Sequence, residues 1–225
     1  MKILAFDCSG NGCSAAVLSG GAIAAHEFRA MVRGHAEALV PMIERALKTA
    51  GLAPAALDLI AVTRGPGAFT GIRIGLATAA GLALASGVPA LGLTTFETVI
   101  AAVPEALLGA GALVAAIDSR REELFLQRFS NMREPVGEPA LVAPEDWNAW
   151  LGSAPVVLAG DGAERLAATL PRRSFARAPG SGIPDAADLA RLALARWKPG
   201  MTAPRLEPLY LRGADTTLAN PAAAS

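Results

Sequence analysis

Residues 3–19, ILAFDCSGNGCSAAVLS, carry apolar side chains up to Asp7, turn through Ser9–Gly12, and resume an apolar run into Ser19. An apolar segment broken by a Ser-Gly-Asn-Gly cluster is the pattern of a β-hairpin. The design returns at residues 114–130, VAAIDSRREELFLQRFS, where Asp118 ends an apolar strand, a polar turn follows and a second strand leads away. Two hairpins of one design predict two related lobes, each opening with its hairpin. Between them HAEALVPMIERALKTAG, residues 35–51, puts Leu39, Ile43, Leu47 and Ala50 at helical spacing with Gly51 as the stop, which predicts an amphipathic helix. LDLIAV, residues 57–62, reads as a buried parallel strand, and a helix follows from about Thr70 to Ser86. PALGLTTFETV adds another strand and helix. Regular periodicity fails around Val103 to Gly111, the best boundary between lobes. Beyond it PVVLAGDGAERLAATL is strand, glycine turn and helix, and IPDAADLARLALARW is another amphipathic helix. The fold class is therefore α/β, two lobes, each a mixed sheet covered by helices. The N-terminal lobe is 1–103, with the association helices. The smaller C-terminal lobe is 104–225, and its tail GADTTLANPAAAS, residues 213–225, reads as disordered.

Bulk properties narrow the function. The 20 basic and 20 acidic residues of the 225-residue chain balance, so no overall field draws nucleic acid or a membrane surface to it. A hydrophobic fraction of 52% with only 5% aromatics suits close-packed helices on sheets better than an aromatic platform. The opening MKILAFD is too short and too soon broken by Asp7 for a secretory signal, and the apolar run Ile74–Ala85 reads as too short to span a bilayer. A cytoplasmic location is expected, with Cys8 and Cys13 as reduced, packed thiols.

The stretch TRGPGAFTGIRIG, residues 63–75, leaves the strand through Gly65-Pro66-Gly67 and enters a helix, a way to build a phosphate cradle. No Walker lysine follows the turn, and no Gly-x-Ser-x-Gly elbow occurs. The helix after the turn has almost no polar stripe, and Gly71, Gly75 and Ala79 form a ridge of small residues that would let another helix approach closely. His26 and His35, the only histidines, have no Cys or carboxylate cluster at metal-ligand spacing, so no metal site is expected. Asp7 and Asp118 could hold a magnesium–phosphate complex or brace their hairpin turns, and bracing is the plainer reading. The GDGA turn, Gly160–Ala163, resembles a nucleotide-facing loop, and Arg172, Arg173 and Arg177 could touch RNA phosphates or line a solvated basic loop.

Taken in order from residue 3 to about 212, ILAFDCSGNGCSAAVL, GHAEALVPMIERAL, TRGPGAFTGIRIGLATAAGLALASGVPALGLTTFE, AAIDSRREELFLQRF, GDGAERL and PLYLR resemble the TsaB family, also called YeaZ. The Gly-Pro-Gly-x-Phe-Thr-Gly-x-Arg-x-Gly element is the specific one. The resemblance implies two lobes of the actin-like, sugar-kinase and Hsp70 (ASKHA) class. It also implies a non-catalytic scaffold and activator in the synthesis of N6-threonylcarbamoyladenosine (t6A) on tRNA. In that role the chain would bind and stabilise the paralogous catalyst TsaD, join TsaE in a ternary complex, and meet tRNA through the complex. A second copy of the chain is an alternative partner, and no membrane is implied. The implied interface comprises His35, Leu39, Met42, Ile43 and Ala46 of the first helix with Thr70, Gly71, Ile74, Gly75, Thr78, Ala79 and Leu82 of the second. Asp7, Ser9, Gly65, Gly67, Asp118 and Gly160 would be a vestigial nucleotide site. No catalytic residue and no metal are implied; ATP or ADP at the junction of the two proteins is the one cofactor left open. The rival expectation is an ATP-dependent phosphotransferase or ATPase using Asp7 and Asp118.

Overall fold

The computed structural model of the chain describes residues 1–170, 175–180, 182–198 and 200–212. Arg172, Arg173 and the 213–225 tail lie outside them. The first hairpin is β1 (Lys2–Asp7) and β2 (Gly12–Ser19), antiparallel with Asp7 opposite Ser14. A Gly20-Gly21 turn, both residues at positive φ, leads to β3 (Ala22–Ala30). Helix α1 (His35–Ala50) follows and ends on Gly51 in the left-handed conformation, whose N–H reaches the carbonyls of Leu47 and Lys48. Then come β4 (Leu59–Thr63), α2 (Phe69–Ser86), β5 (Ala90–Leu93) and α3 (Thr95–Ala101). The sheet order is β3-β2-β1-β4-β5, with β1, β4 and β5 parallel.

The second half repeats this plan. Strands β6 (Ala112–Asp118), β7 (Leu124–Phe129) and β8 (Pro135–Val142) form the antiparallel part; α4 (Trp147–Leu151), β9 (Val156–Ala159), α5 (Ala163–Ala168), β10 (Phe175–Arg177) and α6 (Ala186–Arg196) follow. The order β10-β9-β6-β7-β8 is that of the first sheet, element for element, and Asp118 lies opposite Leu124 as Asp7 lies opposite Ser14. The duplication expected from the two hairpins is thus a duplication of topology.

Both faces of each sheet need apolar cover. One face of the first sheet takes α1 and α2, with Leu39, Ile43, Ile72 and Leu76 on Leu4, Phe6, Ile60 and Val62. Its other face takes α6, through Ala186, Leu189, Ala190 and Ala193 on Ile3, Ala5, Leu18 and Leu59. The second sheet is covered on one face by α4 and α5, and on the other by α3, whose Phe96, Val99 and Ile100 meet Leu113, Ile117, Phe125 and Phe129. Helices α3 and α6 are therefore exchanged between the halves, and they touch each other. The two sheets separate at the 103/104 division, and each borrows its inner helix from across it. Asp185 anchors the loan, capping α6 through Ala187 N–H (2.7 Å) and meeting the His26 ring, while Ser14 Oγ accepts from Ala186 N–H at 3.0 Å.

The segment 204–212 closes the molecule. Leu206 packs on the α1–α2 core and Leu209 and Leu211 on the α3 core, Leu209 N–H donates to Arg64 O (2.7 Å), and Arg212 pairs with Glu123 at 2.9 Å.

Candidate functional site

Asp7 ends β1 fully buried. Its Oδ1 accepts from Ser9 N–H (3.2 Å), Ser9 Oγ–H (2.6 Å) and the Thr63 hydroxyl at the end of β4. The Thr95 hydroxyl at the start of α3 reaches Ser9 Oγ at 3.3 Å. Oδ2 has no partner, and burial pushes the carboxyl up to about 6 against the opposing pull of the Ser9 and Thr63 hydrogen bonds. Asp7 is thus a brace joining the hairpin turn, β4 and α3.

The Gly65-Pro66-Gly67 turn faces this brace. Ala68 N–H, where an anion would be expected to bind, donates to Ser9 O at 2.7 Å. A Cβ at Gly67 would lie 2.2 Å from Ser9 O, and one at Gly71 would lie 1.9 Å from Cys8 O. The glycines admit the chain's own β1–β2 backbone, which occupies the space a phosphate would need. Gly65 O accepts from Thr95 N–H at 2.9 Å, so the turn is also tied to α3.

The second lobe is built alike. Asp118 N–H donates to Asp161 Oδ1 (2.9 Å), Arg120 N–H donates to Asp118 Oδ1 (3.1 Å), and Arg165 pairs with the Asp118 carboxylate at 2.7 Å while holding the carbonyls of Arg121 and Glu122. A Cβ at Gly160 would lie 2.2 Å from Ala116 O. The six residues read as a nucleotide site therefore fall into two groups, Asp7–Ser9–Gly65–Gly67 and Asp118–Gly160, each occupied with its own lobe. The groups approach where the β1–β2 loop meets Asp161: a Cβ at Gly10 would be 4.0 Å from Asp161 Oδ2. Beside them lies a cleft of about 480 Å³ lined by Asp161, Glu164, Asp185 and Asp188, with His26 and Arg177 as the basic groups. Burial pushes Asp161 up to about 6. Such an acid-rich wall repels polyphosphate. Among the described residues no three His, Cys, Asp or Glu side chains gather as metal ligands.

The helix ridge lies inward. Gly71, Gly75 and Ala79 face their own sheet, with a Gly75 Cβ 3.2 Å from Val62, and His35, Leu39, Met42, Ile43 and Ala46 are likewise buried within the lobe. In the isolated chain they are covered by their own lobe. Of the twelve residues expected at the interface only Thr70 is exposed, with Ile74, Thr78 and Leu82 half-buried. The outward face of α2 is Ala77, Ala80, Gly81 and Leu84, and Leu84 is 89% exposed. Nothing lies within 4 Å of a Cβ at Gly81. Only 28% of this helix is buried although its mean hydropathy is 1.4, and by length and composition Phe69–Ser86 is apolar enough to cross a membrane, contrary to the reading of Ile74–Ala85 alone. Five residues of the helix, Gly71, Ile72, Gly75, Leu76 and Ala79, nevertheless anchor it on the β1–β4 core. The outward face could have been found at the same helical spacing, half a turn from the ridge.

Two lobes of one topology, each a mixed five-stranded sheet with an Asp ending its first strand, define a duplicated two-lobed α/β fold. The activator of 2-hydroxyisocaproyl-CoA dehydratase from Clostridium difficile, solved with bound ADPNP, superposes with a TM-score of 0.51 at 10% identity, covering 87% of this chain and 95% of that one, a likeness of fold alone. Residues 29–188 match the family model described as TsaD: tRNA N6-adenosine threonylcarbamoyltransferase. YeaZ from Pseudomonas aeruginosa superposes with a TM-score of 0.77 at 33% identity, covering 93% of this chain and 99% of that one. The tRNA threonylcarbamoyladenosine biosynthesis protein TsaB of Escherichia coli (strain K12) is 37% identical over 129 residues, 57% of this chain and 55% of its own length, so the match spans little more than half of that relative. The chain belongs to the TsaD-related family, in its TsaB/YeaZ branch.

Proposed function

We propose that this chain is a non-catalytic scaffold of the machinery that makes t6A on tRNA, and that it works by binding and stabilising a TsaD-type catalytic subunit through the outward face of α2 and the adjoining α1. The observation that carries the reading is the bareness of an apolar helix: Phe69–Ser86 has a mean hydropathy of 1.4 and is only 28% buried. Exposed apolar faces of this kind mark association sites, each Å² withdrawn from water being worth roughly 25 cal/mol. On α1, Val40 is 48% exposed and adds to the surface. The filled glycine turn and the acid-rich cleft support a structural role over phosphoryl transfer. TsaE would join the resulting complex and tRNA would be met through it.

The test is light scattering after size exclusion on the full chain with a TsaD-type protein, for the wild type, Leu84→Arg and Gly81→Arg. The expected result is a complex with the wild type that both substitutions weaken at least tenfold, with neither variant melting below the wild type. Restored t6A formation on unmodified tRNA should follow the same order. A complex indifferent to both changes would move the interface off α2. ATP hydrolysis by the isolated chain, lost in Asp7→Ala, would instead establish the phosphotransferase reading.

A further inference from the structure

Where α2 begins, the second lobe and the 204–212 segment enclose a basin of about 530 Å³ whose described lining residues include no acid. Its cations are Arg73, Arg120, Arg121 and Arg212. They come from three places in the chain: the first turns of α2, the β6–β7 turn and the closing segment. Aromatic rings stand among them. The Arg73 guanidinium lies 3.8 Å from the Phe69 ring centroid and donates to Tyr210 Oη at 2.9 Å, while the Phe69 and Tyr210 rings are 5.1 Å apart. Each aromatic residue is 39% exposed. Neither Arg73 nor Arg120 forms an ion pair among the described residues, whereas Arg212 is held by Glu123.

We infer that this basin is a contact site for single-stranded RNA on this chain itself, arginines taking phosphates and the exposed rings stacking an unpaired base. Cations interleaved with flat rings are what a single strand recognises, because every base has a π-face and every nucleotide a charge. An acidic peptide would satisfy the arginines and leave the rings unused. Duplex RNA keeps its bases stacked inside the helix and would also leave them idle. The chain's overall neutrality is no obstacle, since the charge is local. The inference deepens the proposed role and rests on it for its biological meaning, but binding of RNA by the chain alone can be read without the partner.

The experiment is fluorescence anisotropy of a labelled RNA stem-loop with an unpaired loop, titrated with the full chain over a range of salt. With about two phosphates engaged, by Arg73 and Arg120, the slope of log K against log salt should be roughly −1.4. Arg120→Glu should weaken binding at least tenfold and flatten the slope, Arg120→Lys should fall between, and Phe69→Ala should cost roughly tenfold. The Arg120 side chain has no described hydrogen-bond partner but its charge favours the buried Asp161 carboxylate, so Arg120→Lys should melt with the wild type, and Arg120→Glu is compared with it only where circular dichroism shows both folded. Equal affinity of wild type and Arg120→Glu would overturn the assignment. So would competition by poly-glutamate as strong as by unlabelled RNA, which would make the basin a peptide site, or by free ADP, which would make it a mononucleotide site. A partner complex that forms normally without any RNA binding would sink this inference and leave the scaffold role standing; RNA binding sensitive to Arg120→Glu without a partner complex would do the reverse.

Discussion

Asp7 shows how a residue can keep the place of a catalytic group while doing other work. Its carboxyl sits at the end of β1, where chemistry would want it, yet one oxygen is spent on Ser9 and Thr63 and the other faces nothing. Because burial raises its folded value to about 6 from an ordinary 3.8, the native state holds the proton more tightly than the unfolded chain. Stability from this group is therefore full below about pH 4 and declines as pH rises through 6, by on the order of 3 kcal/mol at most. Urea midpoints of wild type and Asp7→Asn between pH 4.5 and 8 should diverge in that sense, the wild type losing stability relative to the variant as pH rises. Parallel curves would mean that the carboxylate is solvated in a way the buried brace does not allow. The sequence marked Asp7 and Ser9 as notable, and even favoured bracing. It could not pick out Thr63 and Thr95, whose hydroxyls matter only because β4 and α3 arrive beside the hairpin in space.

At the scale of elements, the strong signals were the buried ones. Helix α1 spans His35–Ala50 as its periodicity requires, and α2 runs Phe69–Ser86, one residue longer at its start than expected. Edge strands β3 and β8 escaped, because their mostly exposed or half-buried residues carry no clear apolar alternation to read. The glycines of α2 were legible as a ridge, but a sequence does not say which way a ridge faces. That question is settled by Cys8, whose carbonyl sits against Gly71. Gly71→Ala should accordingly destabilise the chain by about 1–3 kcal/mol or more through overpacking against backbone, whereas Gly81→Ala, with open space around it, should stabilise the helix by up to about 1 kcal/mol. Denaturant melts of the two variants test this directly, and equal effects would refute the assignment of faces.

For the whole molecule, the decisive feature is the exchange of α3 and α6. Each sheet is finished by a helix that belongs, in chain order, to the other half, so the halves should unfold together. Leu189→Ala on α6, which empties a fully buried site against the first sheet, should cost about 2–5 kcal/mol. It should lower protection from hydrogen exchange equally in β1 of the first lobe and β6 of the second. Loss confined to the first lobe would show that the halves are thermodynamically separate. The lobes were readable from two hairpins because repetition is a one-dimensional signal. The exchange was not, since α6 has the same amphipathic face whichever sheet it covers.

A practical use follows from that exchange. A chain parted in the loop around 103–111 would yield two pieces, each carrying a helix made for the other and a sheet face left bare. Neither could complete its own interior, and each would hold the missing lid of its counterpart. Such pieces are suited to reassemble only on meeting, which makes this architecture a natural split reporter for bringing two fused proteins together.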